Sequence, residues 1–177
     1  MKQHMYKITG QRKSLLFTII IFMLYSLNTI KAEEKNMMEN FKFLLGRWNL
    51  EYNIPKSEFS EDTTGSGTGE FKKALDDKYV FFDYSTLING QTGSAHGIFA
   101  WDENLKAYRY WWFESSGNFS TATCKFVNDK TLFMNWHDTL LIQTFQMINS
   151  NKVVLKMENP DSKGKFKLVL EVIFTRK

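Results

Sequence analysis

Gly46-Arg47-Trp48-Asn49-Leu50-Glu51-Tyr52-Asn53-Ile54 is the stretch that decides the fold class. Trp48, Leu50, Tyr52 and Ile54 alternate with Arg47, Asn49, Glu51 and Asn53. Side chains on a strand point to opposite faces in turn, so a period of two marks a half-buried strand. Pro55 ends it. Upstream, Met37, Met38, Phe41, Leu44 and Leu45 share one face of a short helix predicted over Asn36–Leu45. Asn36 is placed to cap that helix and Gly46 to stop it.

Nothing downstream has a helical period. Short runs of strand-forming residues follow: Gly69–Leu75, Tyr79–Ile88, Ser94–Trp101, Ala107–Glu114, Phe119–Val127, Thr131–His137, Leu140–Ile148, Val153–Glu158 and Lys165–Thr175. The polar stretch Ser57–Gly69 reads as a mobile loop. Turn-type triplets such as Asp76-Asp77-Lys78 and Asn128-Asp129-Lys130 separate the runs. Asn89-Gly90 is a hairpin signal, with a loop expected to exceed two residues. About ten strands so closely spaced leave no room for crossover helices, so they pair antiparallel. A sandwich and an up-and-down barrel both fit. Successive hairpins favour the barrel, which also removes exposed edges. The expected fold is all-β, an up-and-down antiparallel barrel with a short N-terminal helix, wide enough for a ligand cavity.

The chain has 177 residues, with 23 Lys and Arg against 19 Asp and Glu. Five of the basic residues and none of the acids fall in residues 1–32. They precede or flank the apolar run Leu15–Leu27, which has the length of a signal-peptide core and is too short for an ordinary spanning helix. Residues 1–32 are therefore expected to be an export signal and 33–177 one domain; the alternative is an uncleaved N-terminal anchor. Without the leader, 18 basic residues face 19 acids. The remaining chain is close to neutral, and a nucleic-acid partner is not indicated. A single cysteine, Cys124, excludes a disulfide framework and Cys-clustered metal sites.

Phe43-Leu44-Leu45-Gly46-Arg47-Trp48 resembles the L-x-G-x-W opening of lipocalin-like, calycin-type barrels. Gly97-Ile98-Phe99-Ala100-Trp101-Asp102, then Tyr108, then Trp112-Phe113-Glu114, resembles the core of the bacterial domain of unknown function 1579 family. Gly65-Ser66-Gly67 followed by Lys78-Tyr79-Val80 fits the second and third strands of that family. The resemblance covers Phe41 to Thr175. The sequence departs from the pattern at Ala100, Trp101 and Glu114, where the family more often has Gly, Tyr and Asp. It implies a lipocalin-like barrel and no established activity. Haem-binding nitrobindin-like barrels, a more distant comparison, ligate iron through a histidine near the C-terminus. The last predicted strand here has none, so haem is disfavoured, with His137 the one conceivable substitute; no other cofactor is indicated.

His96 and His137 lack the spacing of a metal pair. No Gly-x-Ser-x-Gly turn is present, and a lone Cys124 reads as a small apolar residue. No catalytic residue is therefore assigned. Arg109 and Glu114 have opposite parity within one strand and point to opposite faces. The densest feature is aromatic: Trp101, Tyr108, Tyr110, Trp111, Trp112 and Phe113 lie close together. One reading is plain core. The other is a cavity lined by flat rings with polar tips. The face Tyr108, Tyr110, Trp112 and Glu114 is expected to line it, with Trp48 and Tyr52. His96 and His137 are candidates for the same wall.

The leading expectation is an exported barrel binding a small apolar or aromatic molecule non-covalently, in a closed cavity lined by tryptophans. Two alternatives stay open. One is an isomerase- or cyclase-type enzyme using Glu114 or His137. The other is a protein-interaction module using Trp111, Phe113 and the Ser57–Gly69 loop.

Overall fold

The computed structural model describes residues 36–57 and 61–177. The expected export signal lies outside the described residues. Ten antiparallel strands close into one barrel: β1 (Gly46–Ile54), β2 (Thr63–Ala74), β3 (Tyr79–Ile88), β4 (Gln91–Asp102), β5 (Ala107–Glu114), β6 (Phe119–Asn128), β7 (Thr131–Trp136), β8 (Ile142–Asn149), β9 (Lys152–Pro160) and β10 (Phe166–Arg176). Each strand pairs with its sequence neighbours, and β10 returns to β1 with Trp48 opposite Arg176. This is the up-and-down, lipocalin-like barrel the sequence predicts.

Two predicted features change. The stretch expected as a mobile loop is mostly strand, because β2 starts at Thr63. It pairs with β1 from Thr63 to Phe71 and with β3 from Gly65 onward. Strand pairing needs only backbone groups, so a polar, glycine-rich run can hold the register without an apolar pattern. Its inner face is bare for a reason. A Cβ added at Gly67 would meet the Ser85 carbonyl oxygen at 2.2 Å and the Tyr52 ring at 3.2 Å. The second change is at Asn89-Gly90. These residues have φ of 52° and 75° and join Ile88 directly to Gln91. Both central residues are left-handed, as a two-residue hairpin turn requires, so the loop is shorter than expected.

The predicted helix is a 3-10 helix over Met37–Phe43, with the Asn36 side chain accepting from the Met38 N–H at 3.0 Å. Its buried positions explain the pitch. Met38, Phe41 and Leu44 recur every third residue and are 2%, 0% and 0% exposed. Three residues per turn put them in one line. That line plugs one end of the barrel. Phe41 meets Phe99, Phe126 and Tyr108 at ring distances of 4.8, 5.1 and 5.2 Å.

The plug is latched by the last strand. The Arg176 guanidinium stacks over Trp48 at 4.2 Å and donates to the carbonyls of Leu45 (2.7 Å), Phe43 (3.3 Å) and Ser150 (3.0 Å). The Trp48 indole donates to the Leu44 carbonyl at 2.7 Å. Arg176→Ala should therefore lower unfolding stability by about 2 kcal/mol in a urea titration, from lost stacking and charge-assisted hydrogen bonds. Arg176→Lys should recover less than half, since a point charge cannot stack and fork at once.

Candidate functional site

The barrel interior divides into a filled half and an open half. Near the plug it is packed with Trp48, Phe71, Phe99 and Phe174, each no more than 1% exposed. Toward the ends of β5 and β7 lies a cavity of about 290 Å³. Phe82, Phe145 and Phe174 form its floor. One wall is an arc of rings carried by alternate strands: Tyr52 on β1, Tyr84 on β3, Tyr110 and Trp112 on β5, Trp136 on β7. Successive ring centroids lie 6.4 Å (Tyr52 to Tyr84), 5.1 Å (Tyr84 to Trp112), 6.0 Å (Trp112 to Tyr110) and 5.7 Å (Tyr110 to Trp136) apart. The facing wall is aliphatic, with Leu155 and Met157 from β9 and Leu170 and Val172 from β10.

The strands between the aromatic ones make room for the rings. At Gly97 on β4 an added Cβ would stand 2.3 Å from the Tyr110 hydroxyl. Any side chain there would push Tyr110 off the strand it lies across.

The polar groups of the cavity fall at two depths. Deep in the wall, Gln143 is 5% exposed and its amide donates to the Met134 sulfur at 3.4 Å. Trp136 is 9% exposed, and its buried indole nitrogen has no hydrogen-bond partner. At the mouth stand two exposed carboxylates, Glu114 at the end of β5 and Asp138 in the β7–β8 loop. Glu114 accepts from the Trp112 indole at 3.1 Å and from Ser116 at 3.0 Å. Asp138 accepts from Ser120 at 2.7 Å.

Burial pushes the phenols of this wall up from their ordinary value. For Tyr52 the second cause is neighbouring Tyr84, and for Tyr84 it is the charge of Glu114. Tyr110 is raised by burial, with Cys124 and Tyr84 adding to it. These hydroxyls stay protonated and available as donors. Cys124 is buried on the inner face of β6, and its thiol is likewise pushed up by desolvation.

Of the residues predicted for the cavity, Tyr52, Tyr110, Trp112 and Glu114 lie on its wall. Trp48 and Tyr108 have the right parity but sit at the plugged end. Tyr108 donates to the Met37 carbonyl at 2.7 Å and accepts from Asn40 at 2.7 Å, so it holds the plug. Placing His96 and His137 inside is corrected. Both project from the outer face, because each alternates with a buried residue. His96 Nδ1 lies 2.5 Å from Asp83, which also binds Lys72 at 2.6 Å. Burial would raise the Asp83 carboxyl, but hydrogen bonds from Lys72 and His96 pull it below its usual range. His137 bridges Thr121 and Thr123 at 2.9 and 2.7 Å. Arg109 is also on the outside, 3.9 Å from Asp102 rather than near Glu114. The expected tryptophan lining reduces to Trp112 and Trp136, and the cavity reaches the barrel end instead of being closed.

Sequence reasoning missed Tyr84, Trp136, Gln143 and Asp138. Trp136 had a signal: it has the inward parity of Leu132 and Met134, one residue from the histidine that drew attention. Asp138 had none, because its position depends on how the β7–β8 loop folds back. Among the described residues no three His, Cys, Asp or Glu side chains converge to hold a metal ion, and no helix is long and apolar enough to cross a membrane.

A closed ten-strand barrel plugged at one end, with an aromatic cavity at the other, is a lipocalin-like architecture. The chain belongs to the DUF1579 family, described as proteins of unknown function, whose sequence pattern matches residues 31–176. No curated protein matches the sequence. Among solved structures the chain is similar to Rv2717c from M. tuberculosis, at 10% identity and a TM-score of 0.56, over 79% of this chain and 96% of that one. Looser likenesses are to the S-type phycobiliprotein lyase CPES from Guillardia theta (10% identity, TM-score 0.48, 81% of this chain and 94% of that one) and to a de novo designed fluorescence-activating beta barrel (12% identity, TM-score 0.40, 77% and 95%). At such identities the likeness concerns the fold alone.

The raised phenols set a pH dependence. Below about pH 10 the folded and unfolded chains both keep these protons. Above it the unfolded chain ionises and the folded one resists, so stability falls as pH rises. In an absorbance titration, the phenolates of Tyr52, Tyr84 and Tyr110 should appear only together with loss of the near-ultraviolet circular dichroism signal. Reversible ionisation of all three in the folded protein near pH 10 would contradict the burial described.

Proposed function

We propose that the protein binds a small, mainly apolar, ring-bearing molecule non-covalently in the cavity. The observation that carries this reading is the cavity itself, an aromatic arc facing an aliphatic wall, with the Trp136 indole, a buried donor without a partner, among its lining residues. A buried donor left unpaired costs about 1–3 kcal/mol, which an acceptor on a bound molecule would recover. Size supports it. A cavity of about 150 Å³ is enough for benzene; this one, at about 290 Å³, suits a body of two rings. The aromatic arc and the aliphatic wall offer flat contact to both faces of such a body. The deep ionisable groups are protonated tyrosines, which suit them to donating hydrogen bonds and orienting a ligand.

The reading extends to an exported protein whose residues 1–32 are removed, on the charge and apolar pattern of that segment. A second reading, a protein-interaction module, is favoured by Phe113 and Phe119. They are opposed across β5 and β6 and are 44% and 69% exposed.

Native mass spectrometry of the protein purified from its own host separates the two. A bound molecule lost on denaturation supports the carrier reading; a bare mass with a co-purifying protein supports the interaction module. A variant adds residue-level resolution. Trp136→Phe keeps one aromatic ring and removes the N–H together with the fused pyrrole ring, so it should weaken binding of an acceptor-bearing probe, 2-acetonaphthone, by about tenfold, and by more than it weakens the acceptor-free 2-ethylnaphthalene. Unchanged affinity would remove Trp136 from the ligand contacts.

A further inference from the structure

The cavity has a charge pattern that narrows the ligand class, an inference that rests on the reading of this cavity as a ligand site. Its interior is aromatic and aliphatic. The charged side chains that line it are Glu114 and Asp138, both at the mouth; among the described lining residues there is no lysine or arginine. Neither carboxylate has a cationic partner among the described residues. Their hydrogen bonds come from neutral donors: the Trp112 indole, Ser116 and Ser120. Three carboxylates elsewhere on the barrel, Asp83, Glu70 and Asp161, have cationic partners in Lys72, Arg47 and Lys167, whereas for Glu51, Asp129 and Glu158, as for the two at the mouth, no such ion pair forms among the described residues. Lys56 and Lys167 are likewise paired, with Glu61 and Asp161.

The two carboxylates lie on either side of β6. Ser120, bonded to Asp138, is opposite Trp112, which is bonded to Glu114. One group at the mouth can therefore face both. The Glu114 charge also adds to burial in pushing the Tyr84 phenol up. Below the mouth the wall carries the rings of Trp112, Tyr84 and Tyr52, and an aromatic ring face attracts cations and not anions. A carboxylate pair and an aromatic arc thus act in the same sense.

From these observations we infer that the ligand is an organic cation: an apolar body of about two rings that enters the cavity, carrying an amine that remains at the mouth between Glu114 and Asp138. The amine supplies the counter-charge the two carboxylates lack, and its adjoining carbons lie against the aromatic arc. An anionic ligand of the same shape is repelled at the entrance.

The test uses one ring body with three charges: 2-naphthylmethylamine, 2-naphthylmethanol and 2-naphthoate, titrated calorimetrically into the purified full-length protein. The amine should bind at least about fivefold more tightly than the alcohol at low ionic strength, a modest factor because the carboxylates are exposed. The naphthoate should bind most weakly, and added salt should shrink the spread. In the double variant Glu114→Gln, Asp138→Asn the amine-to-alcohol ratio should fall to about twofold or less. Equal affinity for amine and alcohol, or tightest binding of the naphthoate, overturns the cation assignment and leaves the cavity reading standing. Failure of all three to bind overturns the cavity reading, and the cation assignment with it. The wild-type series alone decides between these outcomes if the double variant does not fold.

Discussion

The stacking of Arg176 on Trp48 is the contact on which the rest depends. An up-and-down barrel must bring its last strand back to its first, and the two residues that meet there are opposite one another in the β1–β10 register. The same guanidinium takes up the carbonyls of Phe43 and Leu45, where the 3-10 helix ends and the chain turns into β1. One side chain thus joins barrel closure to the plug. The carbonyls at a helix end need donors, and a planar five-donor fork can serve several at once. With the plug held at that end, the interior beneath it is filled by Phe41, Trp48, Phe99 and Phe174. Open space is left at the other end.

Alternation of size between neighbouring strands shapes that space. Large rings come from β1, β3, β5 and β7, while β2 and β4 offer glycines where those rings lie. Tyr110 crosses Gly97 too closely for any side chain there, and Tyr52 packs on Gly67, where the Ser85 carbonyl oxygen leaves no room for a Cβ. The rings lean along the barrel wall and leave its axis free. Burial keeps their hydroxyls protonated, so the deep polarity is of the donor kind and negative charge is confined to the mouth. The division of charge by depth gives the cavity a direction, apolar end inward and carboxylates outward.

Much of this was legible from short-range pattern. The alternation in Gly46–Ile54 marks a strand, and the ends of β3 and β5 fall where composition puts them. Parity on β5 separates Tyr110, Trp112 and Glu114 from Arg109 and Trp111, as found. Parity does not report depth, however. Trp48 and Tyr108 face inward like Tyr52 and Tyr110, yet they meet the plug and not the cavity. The histidines are a different case. Chemistry makes them candidates, but His96 alternates with Gly97 and Phe99, and His137 adjoins Trp136, an arrangement that turns both outward. The first half of β2, from Thr63 to Thr68, reads as a loop because its inner positions are glycines, and an apolar-pattern test finds nothing where the inner face is bare.

The sequence by itself determined that this chain is an antiparallel all-β domain of about ten short strands, because period-two alternation and short turns are local properties of the chain. It also divided the side chains of each strand into two faces, as on β5, where Tyr110 and Trp112 fall on one face and Arg109 and Trp111 on the other. Only the tertiary structure decided how far down the barrel each of them lies, that Arg176 reaches back to Trp48, and that Trp136, Gln143 and Asp138 join Tyr52 and Trp112 around one cavity. Those facts follow from strand stagger, barrel closure and loop folding. Each of these is a relation between distant segments, and no local pattern along the chain records it.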